Sequence, residues 1–168
     1  MTDFISRISV VCFAASYGVA LIFEASRLWF RSGVRGITMI GFVTAGLVAH
    51  SLYLIWRSTT LPSVPLSSEF DWYLLAAWLL AAGSLWMTVS NPRTPVGLFV
   101  LPAVLALIGV AELSSREPFP QSPATQIWGV IHGSFNLVMS VAVVLGGRSE
   151  EHTSELQSRQ YLVCRLLL

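Results

Sequence analysis

Five apolar runs, each close to the length that crosses a bilayer, dominate this chain. A helix needs about 20 mostly apolar residues to span the hydrocarbon of a membrane. The runs lie at about residues 5–29, 36–56, 72–89, 96–113 and 126–145. Between the later ones stand polar, proline-bearing connections: RSTTLPSVPLSSEFD from Arg57 to Asp71, SNPRTP from Ser90 to Pro95, and SSREPFPQSPAT from Ser114 to Thr125. Proline removes an amide donor and clashes with the preceding turn, so these stretches end helices. Composition points the same way. The chain is 54% hydrophobic and 11% charged, where a soluble domain carries about 25% charged residues. The expected fold is all-α, a polytopic membrane helix bundle with five transmembrane helices and no internal repeat.

Charge sets the expected orientation. All ten basic residues are arginine and the net charge is +1, which leaves no basic surface for nucleic acid. Arg27, Arg31 and Arg35 crowd the first connection, so the positive-inside rule puts it in the cytoplasm and the N-terminus outside. The connection holding Arg57, Glu69 and Asp71 is then outside, Arg93 inside, and Arg116 with Glu117 outside. Trp56, Trp72 and Trp128 all fall at outer boundaries, where an aromatic belt is expected. Glu24 is expected at the interface, paired with Arg27 or Arg31, and Glu112 is expected to face water. Trp78 and Trp86 are candidates to line a cavity. Cys12 and Cys164 form neither a CxxC motif nor a disulfide framework. There is no Gly-rich phosphate loop, no HExxH and no nucleophile–base–acid set. The expectation is therefore binding or transport, not an enzyme.

The last 21 residues, RSEEHTSELQSRQYLVCRLLL, change character abruptly. Arg148–Ser158 and Leu162–Leu168 resemble the two ends of a common DNA-sequencing adapter translated in one frame, with Arg159–Tyr161 filling the index between them. Residues 148–168 are accordingly expected to be a non-native tail, to be set aside with His152 and Cys164. The native chain is expected to be cut at about Gly147.

Two histidines lie inside apolar runs, His50 in GFVTAGLVAHSLYLIW and His132 in WGVIHGSFNLVMSVAVVL. An ionisable side chain within a span is costly and marks a functional-site candidate, although a lone histidine near a helix end also simply bonds a carbonyl. His50 stands six residues before Trp56, about 9 Å inside the outer boundary, and His132 four residues after Trp128, about 6 Å inside. Two imidazoles at one depth on antiparallel helices suit axial ligation of haem iron. Gly46 and Gly133 are expected to leave room for a flat macrocycle. Asn136, one turn from His132, is either a hydrogen-bonding support for that ligand or interhelical glue. The stripe Gly41, Ala45, Ala49 suits plain helix packing.

Taken in order, four motifs resemble the HemX/CcsA-type cytochrome c assembly proteins. They are Leu47-Val48-Ala49-His50; Pro65-Leu66-Ser67-Ser68-Glu69-Phe70 followed by an apolar helix with Trp78; Gly97-Leu98-Phe99-Val100-Leu101-Pro102; and Trp128-Gly129-Val130-Ile131-His132-Gly133-Ser134. The resemblance covers about residues 1–147. It implies a multi-pass protein of the bacterial cytoplasmic membrane that handles haem for attachment to apocytochrome c on the outer face. His132 is similar to the outer-side haem ligand of that family, and His50 to the second-helix histidine of the HemX-like branch. Ser140 stands where the family carries a tyrosine; the tryptophan-rich external motif of the CcsA-like branch is absent but would lie beyond the expected cut, so its absence does not decide between the branches.

The expected function is haem binding in cytochrome c biogenesis, with His50, His132 and Asn136 as the cofactor site and the two histidines on the iron. Neutral imidazole is the ligating form, so binding should weaken in acid. Haem, apocytochrome c, other assembly proteins and the lipid bilayer are the expected partners. One alternative is a HemX-like regulator of haem-synthesis enzyme levels, acting through the Arg27–Arg35 loop. Another is a small transporter subunit, a class that favours repeats and interrupted helices, of which only Pro102 is a hint.

Overall fold

The computed structural model describes residues 10–26, 33–60, 68–90, 96–119 and 123–146, except for the side chains of 33–35, 123–127, 144 and 145. They form five helices in an all-α arrangement: α1 Val10–Ser26, α2 Gly33–Thr60, α3 Glu69–Ser90, α4 Gly97–Leu113 and α5 Pro123–Gly146. Two have the length and composition to cross a membrane, at Gly36–Thr60 and Glu69–Ser90. The apolar parts of the other three, Val10–Ser26, Gly97–Leu113 and Trp128–Val143, are shorter. The expected tail lies outside the described residues, as do Arg27, Arg31, Arg93 and the connections that carry them.

Local chemistry explains where the helices start and stop. The Ser68 hydroxyl accepts from the Asp71 amide at 3.3 Å, which makes Ser68 the cap of α3. Glu69 and Asp71 thus fall in the first turn, where the helix dipole favours negative charge. The helix therefore begins three residues before the apolar run at Trp72. At the far end of α2, Ser58 and Thr59 bond back to the Ile55 carbonyl, and the polar turn Arg57–Thr60 stays helical.

Successive helices run antiparallel. At one end of the bundle, Arg57 of α2 meets Asp71 of α3, and the Phe70 amide donates to the Ser115 carbonyl just past α4. At the other end, Glu24 of α1 lies against Gly97 of α4. The core is shared by α1, α2, α3 and α4. On α1 it takes Phe13, Tyr17 and Ala20, in line with buried Glu24, a spacing of four, three and four that keeps one helical face inward. The described part of α5 adds no fully buried residue and packs chiefly on α3.

Two sequence expectations change here. The seam of α2 is Met39, Val43, Gly46, His50 and Tyr53, not Gly41, Ala45 and Ala49; Gly41 and Ala45 are exposed. The bulkier stripe wins because Gly46 lets the Tyr17 ring of α1 close onto the α2 backbone. A Cβ at position 46 would sit 2.9 Å from Tyr17 Cε1 and 3.2 Å from Ser16 Cβ. Tyr17 has no exposed surface and cannot swing aside. Gly46→Ala is therefore expected to destabilise the α1–α2 pair by about 2 kcal/mol through overpacking, read as a lowered melting temperature in detergent. Gly41→Ala, with open space around its Cβ position, is the neutral control. Second, Glu24, expected at the membrane interface, is covered by the protein itself, at 1% exposure, two residues before the end of α1. Gly97 has no side chain, so Glu24 packs against the first turn of α4, where the helix dipole favours a carboxylate.

Candidate functional site

His50 is enclosed between α1 and α2. Its ring stacks on Phe13 with centroids 4.1 Å apart and planes 4° from parallel. Tyr17 meets it edge-on, and the Tyr17 hydroxyl lies 3.4 Å from His50 Nδ1. The residue has no exposed surface. Its Nε2 is buried and has no hydrogen-bond partner among the described residues. In one tautomer Nδ1–H donates to the phenol oxygen and the Nε2 lone pair is left free; in the other the phenol donates and an Nε2–H is left unsatisfied. Either state carries a cost that a nonpolar ring would not.

His132 has the opposite surroundings. It is exposed on α5, within one turn of three exposed apolar side chains, Trp128, Ile131 and Phe135. Its Nε2 lies 3.0 Å from Asn136 Nδ2 one turn on. With the amide in that orientation Nε2 accepts and the proton resides on Nδ1. Turning the amide by half a rotation makes its oxygen the acceptor of Nε2–H and frees the Nδ1 lone pair. Asn136 is thus placed to select the tautomer of His132. Ser140 continues the polar stripe, its hydroxyl donating to the Asn136 carbonyl at 2.8 Å.

The two histidines lie toward the same end of the bundle, since His50 precedes Arg57 by two turns and Gly133 touches Trp72, the neighbour of Asp71. They do not share an environment. The ring partners of His50 are Phe13 and Tyr17, and α5 packs on α3. Nor do the two glycines leave space for a macrocycle. The position over Gly46 is filled by Tyr17, and a Cβ on Gly133 would lie 2.8 Å from Trp72 Cη2. Both glycines admit an aromatic ring of the protein itself.

Several neighbours were not singled out from the sequence. Phe13 and Tyr17 escape notice because aromatic residues on an apolar helix read as generic filling; their spacing of four is the signal that they share a face. Trp78, expected at a cavity, instead donates from Nε1 to Ser51 Oγ at 2.8 Å and ties α3 to α2, while Trp86 is exposed. Where the end of α2 meets the start of α3, Arg57 pairs with Asp71, and the guanidinium groups of Arg57 and Arg116 lie 4.6 and 4.7 Å from the Phe70 ring centroid. Glu112 is exposed as expected and pairs with Arg116 at 2.7 Å. Among the described residues no group of three or more His, Cys, Asp or Glu side chains is placed to hold a metal ion. Compared with known proteins, the chain matches no family model, no curated protein and no solved structure.

Proposed function

We propose that this chain is a haem-handling membrane protein of cytochrome c assembly, with His132 as the ligand presented to haem iron. The observation that carries the reading is an exposed imidazole flanked by exposed apolar side chains and hydrogen-bonded to an asparagine one turn away. Haem would supply an iron centre that binds neutral imidazole and a broad apolar plate that needs apolar cover. His132 fits that group: its ring is accessible, Asn136 with its oxygen turned to Nε2–H leaves the Nδ1 lone pair free, and Trp128, Ile131 and Phe135 flank it. His50 fits less well, because its free Nε2 is sealed by α1 packing. A second bond from His50 would require the α1 packing over its Nε2 to open while the Tyr17 hydroxyl stays on Nδ1 to orient the ring.

In this reading all five helices cross the cytoplasmic membrane of a bacterium, with the N-terminus outside. The 17 residues of α1 and of α4 stand at the short end of the spanning range of roughly 17–25. The many exposed apolar side chains, among them Val11, Ile22, Val48, Ile55, Trp86 and Phe99, suit contact with lipid. The protein would present haem near the outer surface, where apocytochrome c and other assembly proteins take it up.

The test is haem loading of the full chain in detergent, followed by its absorption spectrum. His132→Ala is expected to lose most of the bound haem. Asn136→Leu keeps the ligand but loses control of its tautomer, and is expected to bind about tenfold more weakly. Wild-type haem content in His132→Ala would reject the proposal.

A further inference from the structure

A cleft of about 740 Å³ that neither histidine lines opens between α1, α2 and α4, at the end of the bundle where Arg57 and Asp71 meet. Its floor is small and apolar, with Ala14 and Ala15 from α1 and Ile108 and Gly109 from α4. Nothing lies within 4 Å of a Cβ built on Gly109, so the floor is open along the α4 backbone. Trp56 forms a wall, and Glu112 and Arg116 stand at the charged end. Their 2.7 Å pair leaves 42% of the Glu112 side chain and 55% of the Arg116 side chain exposed.

We propose that this cleft seats a phospholipid with an ammonium–phosphate headgroup, of the phosphatidylethanolamine class. The proposal rests on reading the bundle as membrane-spanning. Shape favours an acyl chain: the groove is open along its length, largely apolar and lined by Ala14, Ala15 and Gly109. Charge selects the headgroup. A purely anionic lipid would gain Arg116 but meet the Glu112 carboxylate. A headgroup with an ammonium and a phosphate meets both, with Arg116 donating to the phosphate and Glu112 accepting from the ammonium. Such charge-assisted bonds are stronger than neutral ones. A trimethylated ammonium has no N–H to donate, so choline lipids satisfy only the arginine. Tryptophan is a residue of the headgroup level, and Trp56 lines the cleft together with Glu112 and Arg116.

The experiment titrates the detergent-solubilised full chain with short-chain phosphatidylethanolamine, phosphatidylcholine and phosphatidylglycerol, counting bound lipid by native mass spectrometry. The ethanolamine lipid is expected to bind about tenfold more tightly than the other two. Glu112→Gln should bring it down to the level of the choline lipid. Arg116→Gln should weaken all three, while Glu117→Gln, at an exposed position not lining the cleft, should change nothing. Equal binding of the three lipids by the wild-type chain, or a preference that survives both Glu112→Gln and Arg116→Gln, would overturn the proposal. Carbonate washing of the source membranes tests the underlying reading separately. A chain released by carbonate defeats the membrane reading itself. A chain retained there but indifferent to headgroup defeats only the lipid site.

Discussion

Replacing His50 by alanine should lower the stability of the bundle by about 3 kcal/mol, whereas phenylalanine at the same position should cost less than about 1 kcal/mol. Alanine removes a fully buried ring, empties the space against Phe13 and leaves the Tyr17 hydroxyl without its partner. The cavity and the unmade hydrogen bond act in the same direction. Phenylalanine keeps the stack and removes the unsatisfied Nε2, a gain that offsets the loss of the Tyr17 contact. Adding Tyr17→Phe to His50→Phe should then restore wild-type stability or exceed it. Thermal unfolding in detergent reads these differences, with a fall of roughly 10 °C for His50→Ala. Such an order would mean that histidine is not the most stable residue at this place. A buried nitrogen that costs stability is what a functional constraint leaves behind. An equal loss for alanine and phenylalanine would show instead that the nitrogen itself holds α1 to α2.

Asp71→Ala should cost about 2 kcal/mol, between the values for exposed and for fully buried ion pairs. Both side chains are 13% exposed. Removing the carboxylate leaves the Arg57 guanidinium largely covered, with the Phe70 ring and the Tyr53 hydroxyl but no anion to face. It also takes a favourable charge from the first turn of α3. A double-mutant cycle with Arg57→Met isolates the pair, and its coupling energy should make up most of the loss. A coupling near zero would assign the effect to the helix dipole and the cap at Ser68. Because this pair joins the end of α2 to the start of α3, the lost stability should be accompanied by easier proteolysis between Arg57 and Asp71.

How much of this was legible in the sequence follows from what an apolar run encodes. A run of about 20 apolar residues bounded by polar or proline-bearing connections specifies a helix, and all five helices are legible on that basis. Boundaries were less clear because capping depends on single polar residues. Ser68, with Glu69 and Asp71 in the turn after it, extends α3 into what reads as loop. Facing was least legible. A helix that is apolar all round carries no amphipathic stripe to mark its buried side, so the regular spacing of Gly41, Ala45 and Ala49 competes with the true seam at Gly46 and His50. Only the ring of Tyr17, on another helix, decides between them. The same limit applies to the histidines. Helix rise gives their depth, and both do lie toward one end of the bundle. Azimuth depends on which helices pack together, and it buries His50 against α1 while exposing His132 on α5.

The central claim, that an exposed imidazole on α5 receives haem, is tested most directly by the absorption spectrum of the haem-loaded full chain beside its His132→Ala and His50→Phe variants. The account predicts a haem spectrum for the wild type, its loss in His132→Ala, and substantial retention in His50→Phe, whose fold is preserved. A His132→Ala protein that holds haem as well as the wild type, or a wild-type chain that holds none, would contradict it.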